Sequence, residues 1–107
     1  MIIRDPAPEN NNAMAPKKIR ISHLKEWKTD GRKIVVVTAH DAVSALIVQE
    51  GGADVILVGD SLGMANLGYR DTTRVTMDEM IHHSAAVSRG ARSSLLIGDM
   101  PFMSYKI

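Results

Sequence analysis

Cysteine is absent from the 107 residues. That excludes a disulfide scaffold and a thiolate metal site, and it fits a reducing, cytoplasmic setting. An excess of charge of one sign is also missing. Thirteen basic residues face twelve acidic ones, for a net charge of +1, which creates no broad field for nucleic acid or an anionic membrane. Neither is expected as a partner. Long hydrophobic runs are lacking too. The longest, Ile34 to Val37 and on to Ala39, falls far short of the ~20 residues that span a bilayer. The start, Met1-Ile2-Ile3-Arg4-Asp5-Pro6, has no apolar signal core behind a basic opening. A transit peptide is not expected either, because Asp5 and Glu9 are acidic. Common nucleotide motifs are missing as well. Gly59, Gly63 and Gly68 do not match the dinucleotide glycine fingerprint, and no phosphate loop with Gly-Lys-Ser or Gly-Lys-Thr occurs.

What is present reads as a globular chain. Apolar residues make up 45% and charged residues 23%, so there is apolar surface to bury and wholesale disorder is excluded. The exception is residues 1–16, which hold Pro6, Pro8 and Pro16 and the run Asn10-Asn11-Asn12 without an apolar period. They are expected to form a disordered extension, with Met14 an alternative start and an arm packed on a neighbouring subunit the competing reading. Residues 17–107 carry the folded pattern.

That pattern alternates. A short amphipathic helix is expected from Ser22, capped by Ser22 and ended by Gly31, with Leu24 and Trp27 inward. Ile34 to Val37 reads as a strand buried on both faces, because it is continuous and β-branched. Asp41 caps a helix to Glu50, and Asp54 to Val58 forms the second buried strand. A long stretch from Gly59 to Val75 follows, and loops of that length are often functional. Thr76 and Glu79 form a capping box that opens a helix. Its inward face is expected to hold Met77, Met80, Ile81, Ser84, Ala85 and Ser88, and Gly90 ends it. A third strand spans Ser94 to Ile97. Strand, helix, strand, helix, strand demands a parallel sheet. It fits either the opening of a (β/α)8 barrel, which needs about 250 residues, or a flavodoxin-like open sheet.

In such folds functional side chains sit at the carboxyl ends of strands. Here those ends read Thr38-Ala39-His40-Asp41, Gly59-Asp60-Ser61 and Gly98-Asp99. Asp60 and Asp99 follow adjacent strands and could converge on a hard cation such as magnesium, which favours one or two carboxylates plus water and substrate. The alternative is that each aspartate caps its own turn. Spacing leaves both open. His82 and His83 are neighbours on a helix and cannot chelate together, so both are expected at the surface, as is His23. His40 ends a strand and borders the site. Met64, Met77, Met80, Met100 and Met103 read as core or subunit-contact packing.

Five blocks go further. Thr38-Ala39-His40-Asp41, Leu57-Val58-Gly59-Asp60-Ser61-Leu62-Gly63-Met64, Gly68-Tyr69, Val75 to Met80 and Gly98 to Tyr105 resemble, in order and spacing, the first third of the ketopantoate hydroxymethyltransferase family. The resemblance covers residues 19–107. It implies the first three β/α units of a (β/α)8 barrel, truncated here, and a homodecamer for the complete enzyme. The implied reaction moves a hydroxymethyl group from 5,10-methylenetetrahydrofolate to 3-methyl-2-oxobutanoate, giving 2-dehydropantoate, the first step of pantothenate biosynthesis. Residue by residue, Asp60 and Asp99 fall on the family's magnesium-binding, substrate-holding aspartates, and Ser61 on the serine that binds the substrate carboxylate. His40 replaces a usual tyrosine and Arg74 a common proline. The family's lysine, further acidic residue and general base are expected beyond Ile107, so the chain alone is not expected to catalyse. Two other readings compete: another magnesium-dependent 2-oxo acid enzyme of the isocitrate lyase and phosphoenolpyruvate mutase group, and a non-catalytic truncated product.

Overall fold

The computed structural model describes residues 1–3 and 17–106. Its elements run β1 (Ile2–Ile3), α1 (Ile21–Thr29), β2 (Val36–Thr38), α2 (Ala42–Glu50), β3 (Val55–Val58), α3 (Leu62–Ala65), a 3-10 turn (Thr72–Arg74), α4 (Met77–Gly90) and β4 (Leu95–Gly98). The strands form one sheet in the order β1-β4-β3-β2. β2, β3 and β4 are parallel, with Val36 opposite Val55 and Val58 opposite Gly98. The expected α/β alternation is therefore present as a four-stranded sheet. No helix among the described residues is long and apolar enough to cross a membrane.

The core lies between the sheet and the α2–α4 pair. β3 is the central strand, and Val55, Ile56 and Val58 are almost fully buried. Leu96 from β4, Ala45 from α2, and Met80 and Val87 from α4 share the core cluster with Ile56 and Val58. Helix starts follow local chemistry. The Asp41 side chain accepts the Ser44 amide at 2.7 Å, and Thr76 and Glu79 cap each other reciprocally, each satisfying amides left open at a helix start.

Four expectations change. β2 begins at Val36 rather than Ile34 and is not buried on both faces: Val35 and Val36 are 48% and 55% exposed, because β2 is an edge strand with β3 as its one neighbour. The buried stripe of α4 runs Met80, Ser84, Val87, whereas Ile81 is 52% exposed; steps of four and three residues carry the stripe away from Ile81. α1 is capped by Arg20, not Ser22, with His23 Nδ1 accepting the Arg20 amide at 2.9 Å. The extension read over residues 1–16 differs in its first three residues. Ile2 and Ile3 pair antiparallel with Ile97 and Leu96, and Met1 carbonyl accepts the Gly98 amide at 2.6 Å. A free strand edge offers amides and carbonyls to any extended segment, and that bonding is invisible to composition. Residues 4–16 lie outside the described residues.

Asp54 locks the amino-terminal end of the sheet. It is 6% exposed, and its carboxylate accepts from the Val35 amide and from Arg32, both at 2.9 Å. Arg32 also stacks over Trp27, 3.7 Å from the ring centroid. Asp54→Ala leaves the Val35 amide without its acceptor and should cost about 1–3 kcal/mol. Asp54→Asn, which keeps an acceptor, should cost less. Urea unfolding measures both, and equal losses would show that the carboxylate's charge rather than its acceptors matters.

Candidate functional site

The polar ends of β3 and β4 meet. Beyond β4 the ladder continues one residue, as Asp99 donates its amide to Val58 carbonyl at 2.9 Å. This register places the Asp99 carboxylate beside the turn after β3, where its Oδ2 accepts the Asp60 amide at 3.0 Å. Gly59 shows how close the groups lie. A methyl group added there would sit 3.4 Å from Ser61 Oγ and 3.5 Å from Asp99 Oδ2, in the space the two polar atoms share. Asp60 and Asp99 are both half-buried, and Ser61 is exposed.

Neither aspartate caps its own turn. Asp99 reaches across to the neighbouring strand's loop. The turn after Asp60 is held by backbone bonds, Leu62 amide to Gly59 carbonyl at 3.1 Å and Gly63 amide to Asp60 carbonyl at 3.0 Å. Ser61 stands at the cap position of α3 without a side-chain capping bond. The Ser61 hydroxyl and the Asp99 carboxylate thus come together beside the Asp60 backbone, and no described hydrogen bond engages the Asp60 carboxylate. The described residues contain no group of three or more His, Cys, Asp or Glu side chains placed to hold a metal. A two-carboxylate site still suits magnesium, which keeps several waters and usually takes one or two protein carboxylates.

The surrounding loop is more structured than its sequence indicates. Leu62 is fully buried and Val75 nearly so. Gly68 has φ +77°, a left-handed conformation that reverses the chain, so that the Tyr69 amide reaches Gly63 carbonyl at 2.8 Å. The Tyr69 hydroxyl donates to Glu79 Oε2 at 2.6 Å. This bond holds the Glu79 carboxyl below its usual range, helped by the Thr76 amide, and raises the Tyr69 phenol. The hydrogen bond from the Ser44 amide likewise lowers Asp41.

On the other side of β3, His83 is half-buried rather than a surface residue. Its Nδ1 donates to His40 carbonyl at 2.7 Å, so that nitrogen carries the proton. His82 is exposed, as expected, while His23 is half-buried in the α1 cap. His40 donates its amide to Ser44 Oγ at 3.3 Å, and its buried Nε2 lacks a partner among the described residues. Arg74 closes the 3-10 turn and is exposed. An open apolar groove lies elsewhere, between α1 and residues 31–34, and none of Asp60, Ser61 or Asp99 lines it. Sequence reasoning missed Tyr69 and His83 as partners. Gly68-Tyr69 stood out only as part of the resemblance.

A family model for ketopantoate hydroxymethyltransferase matches residues 18–107. The chain belongs to that family. Among its relatives named 3-methyl-2-oxobutanoate hydroxymethyltransferase, the protein of Carboxydothermus hydrogenoformans is 55% identical over 89 residues, which is 83% of this chain and 32% of the relative. That of Acetivibrio thermocellus is 54% identical over 88 residues, 82% of this chain and 31% of the relative. That of Enterococcus faecalis is 54% identical over 83 residues, 78% of this chain and 30% of the relative. The chain thus spans about a third of the length of the curated relatives it matches. Asp60, Ser61 and Asp99 all lie inside the segment matched by the ketopantoate hydroxymethyltransferase family model.

Proposed function

We propose that this chain supplies the magnesium- and 2-oxo acid-binding strand ends of a 3-methyl-2-oxobutanoate hydroxymethyltransferase. The observation that carries this reading is the meeting of the Asp99 carboxylate with the Asp60 amide and the Ser61 hydroxyl around Gly59. In the reaction proposed, 3-methyl-2-oxobutanoate loses its C3 proton, and C3 forms a bond to the one-carbon unit of 5,10-methylenetetrahydrofolate. Both methylene–nitrogen bonds of the folate break, and water supplies the new hydroxyl. The C3 proton and the other water proton end on the two folate nitrogens, leaving 2-dehydropantoate and tetrahydrofolate. Asp60 and Asp99 would hold the magnesium ion. Bound there, the ion supplies Lewis acidity toward the keto and carboxylate oxygens of the 2-oxo acid and eases loss of the C3 proton.

The chain's own groups bind and orient. No described hydrogen bond or ion pair engages the Asp60 carboxylate, so both its oxygens are available to a cation. Asp99 is pre-oriented, because the Asp60 amide holds Oδ2 and leaves Oδ1 free. Such fixed dipoles need no reorganisation when charge develops. Ser61, exposed and without a capping bond of its own, would donate its hydroxyl to the substrate carboxylate. No residue of this chain is assigned as the base. For the complete enzyme we propose a (β/α)8 barrel in a homo-oligomer. The support is the sequential parallel order of β2, β3 and β4. The next parallel strand would pair with β4 at the edge that Ile2 and Ile3 hold here, displacing them.

Manganese, a spectroscopically visible substitute for magnesium, tests the reading on this chain. Its free electron paramagnetic resonance signal should fall on binding, and magnesium should restore it. Adding 3-methyl-2-oxobutanoate should tighten manganese binding by about tenfold, equivalent to roughly 1.4 kcal/mol, since the 2-oxo acid brings two oxygens of its own. Manganese affinity indifferent to the 2-oxo acid would overturn the proposal.

A further inference from the structure

We infer that Tyr69, through its hydrogen bond to Glu79, is a positioning residue for the Asp60–Ser61 turn. The inference rests on the binding site proposed above and adds a residue that touches neither metal nor substrate there.

The orientation of Asp60 and Ser61 follows that of α3. Asp60 carbonyl accepts the Gly63 amide at 3.0 Å, and Ser61 carbonyl accepts the amides of Met64 and Ala65 at 3.0 and 2.9 Å. α3 has four residues, too few to hold its shape alone, since helix nucleation is unfavourable and needs tertiary support. Leu62, fully buried, fixes its depth against the core. One buried side chain leaves a single helical turn free to rock about that point.

Tyr69 removes the freedom. Its amide holds Gly63 carbonyl at 2.8 Å. Its ring lies against Gly63 so closely that a methyl group there would come within 3.2 Å of Cδ2 and would also overlap Val75. Its hydroxyl then joins this assembly to Glu79 at 2.6 Å. Glu79 is itself immobilised, because its Oε1 accepts the Thr76 amide at 2.9 Å in the capping box of the 14-residue α4. Both carboxylate oxygens are thus in use, one for the cap and one for Tyr69. Among the described residues, this is the side-chain hydrogen bond that ties the interior of the Gly59–Val75 loop to α4. A continuous path runs from a long helix through Tyr69 and Gly63 to the two site residues.

Three variants test the inference by manganese titration with 3-methyl-2-oxobutanoate, with folding followed by far-ultraviolet circular dichroism. Tyr69→Phe keeps the ring over Gly63 and removes only the hydroxyl. It should weaken ternary binding about tenfold, the lower end of what residues supporting a metal site cost. Glu79→Gln keeps one acceptor oxygen for the Thr76 amide and turns its NH2 to the Tyr69 hydroxyl, which can accept as well as donate. The link survives with its direction reversed, and binding should be like the wild type. Glu79→Asp keeps the charge near the helix start but shortens the reach to Tyr69, and should resemble Tyr69→Phe. If Tyr69→Phe loses its fold, Glu79→Asp against Glu79→Gln carries the test. Wild-type ternary affinity in the folded Tyr69→Phe or Glu79→Asp protein, with a lowered melting temperature alone, would make Tyr69 a purely structural residue and overturn the inference. Asp60→Asn run alongside separates the two ideas. If it too binds normally, the site itself has been misplaced.

Discussion

Asp60→Asn and Asp99→Asn should each weaken manganese or magnesium binding by at least about 10- to 100-fold. That range is what mutation of residues supporting a metal site already costs, and a direct ligand should cost no less. The substitution isolates charge. An amide keeps nearly the shape of the carboxylate but cannot offset a divalent cation, which prefers anionic oxygen. The two positions should differ in a second respect. Asp99 also accepts the Asp60 amide, a task that the side-chain carbonyl oxygen of Asp99→Asn can still perform. Asp99→Ala removes that acceptor too and should cost more than Asp99→Asn. The Asp60 carboxylate accepts no described hydrogen bond, so Asp60→Ala and Asp60→Asn should be alike. Ser61→Ala should raise the 2-oxo acid concentration needed without a matching change in metal affinity, because the role proposed for its hydroxyl is to hold the substrate carboxylate. Titrating metal at fixed 2-oxo acid, and 2-oxo acid at fixed metal, reads the two constants separately. Metal affinity that survives in both amide variants would remove the proposed ion site.

Gly90→Ala should destabilise the chain strongly, although helix propensity alone says the opposite. Alanine is worth up to about 1 kcal/mol over glycine in a helix interior, and Gly90 is the last residue of α4, where the gain is at most that. Gly90, however, lies where α4 crosses the start of α2. A methyl group there would overlap the Ala42 carbonyl oxygen and come within 2.7 Å of Ala42 Cα and carbonyl carbon. Those are backbone atoms, so the clash cannot be relieved by turning a side chain. α2 must move, and with it Ala45, which is fully buried against the sheet. Overpacking of this kind typically costs about 1–3 kcal/mol and occasionally more. A backbone-to-backbone clash belongs at the upper end, so the net loss after the propensity gain is roughly 2 kcal/mol. For a chain of this size that lowers the melting midpoint by on the order of 10 °C. Ala86→Gly, on the same helix, supplies the propensity effect for comparison. An unchanged or raised midpoint in Gly90→Ala would mean that the helices are not packed this closely.

The sequence by itself determined whatever depends on near neighbours. The continuous apolar run Val55 to Val58 reads as a buried strand because burial on both faces tolerates no alternation, and that strand is buried. Asp41 and Thr76 became helix caps because each reaches an amide three residues on. Asp60, Ser61 and Asp99 were legible as strand-end residues because strand ends are set by local pattern. The tertiary structure decided the rest. Val36 is exposed because β2 lies at the sheet edge, a matter of strand order rather than composition. Gly90 matters through Ala42, and not through the positive φ that a glycine at a helix end suggests. His83 left the surface because its ring reaches the carbonyl of His40, 43 residues earlier. Asp99 became a partner of Asp60, 39 residues away, because the β3–β4 register brings Val58 opposite Gly98. Periodicity and capping report on residues within about one helical turn of each other. Contacts between residues so distant in the chain arise only when the parallel ladder closes, and it is that closure which brings the two polar strand ends together.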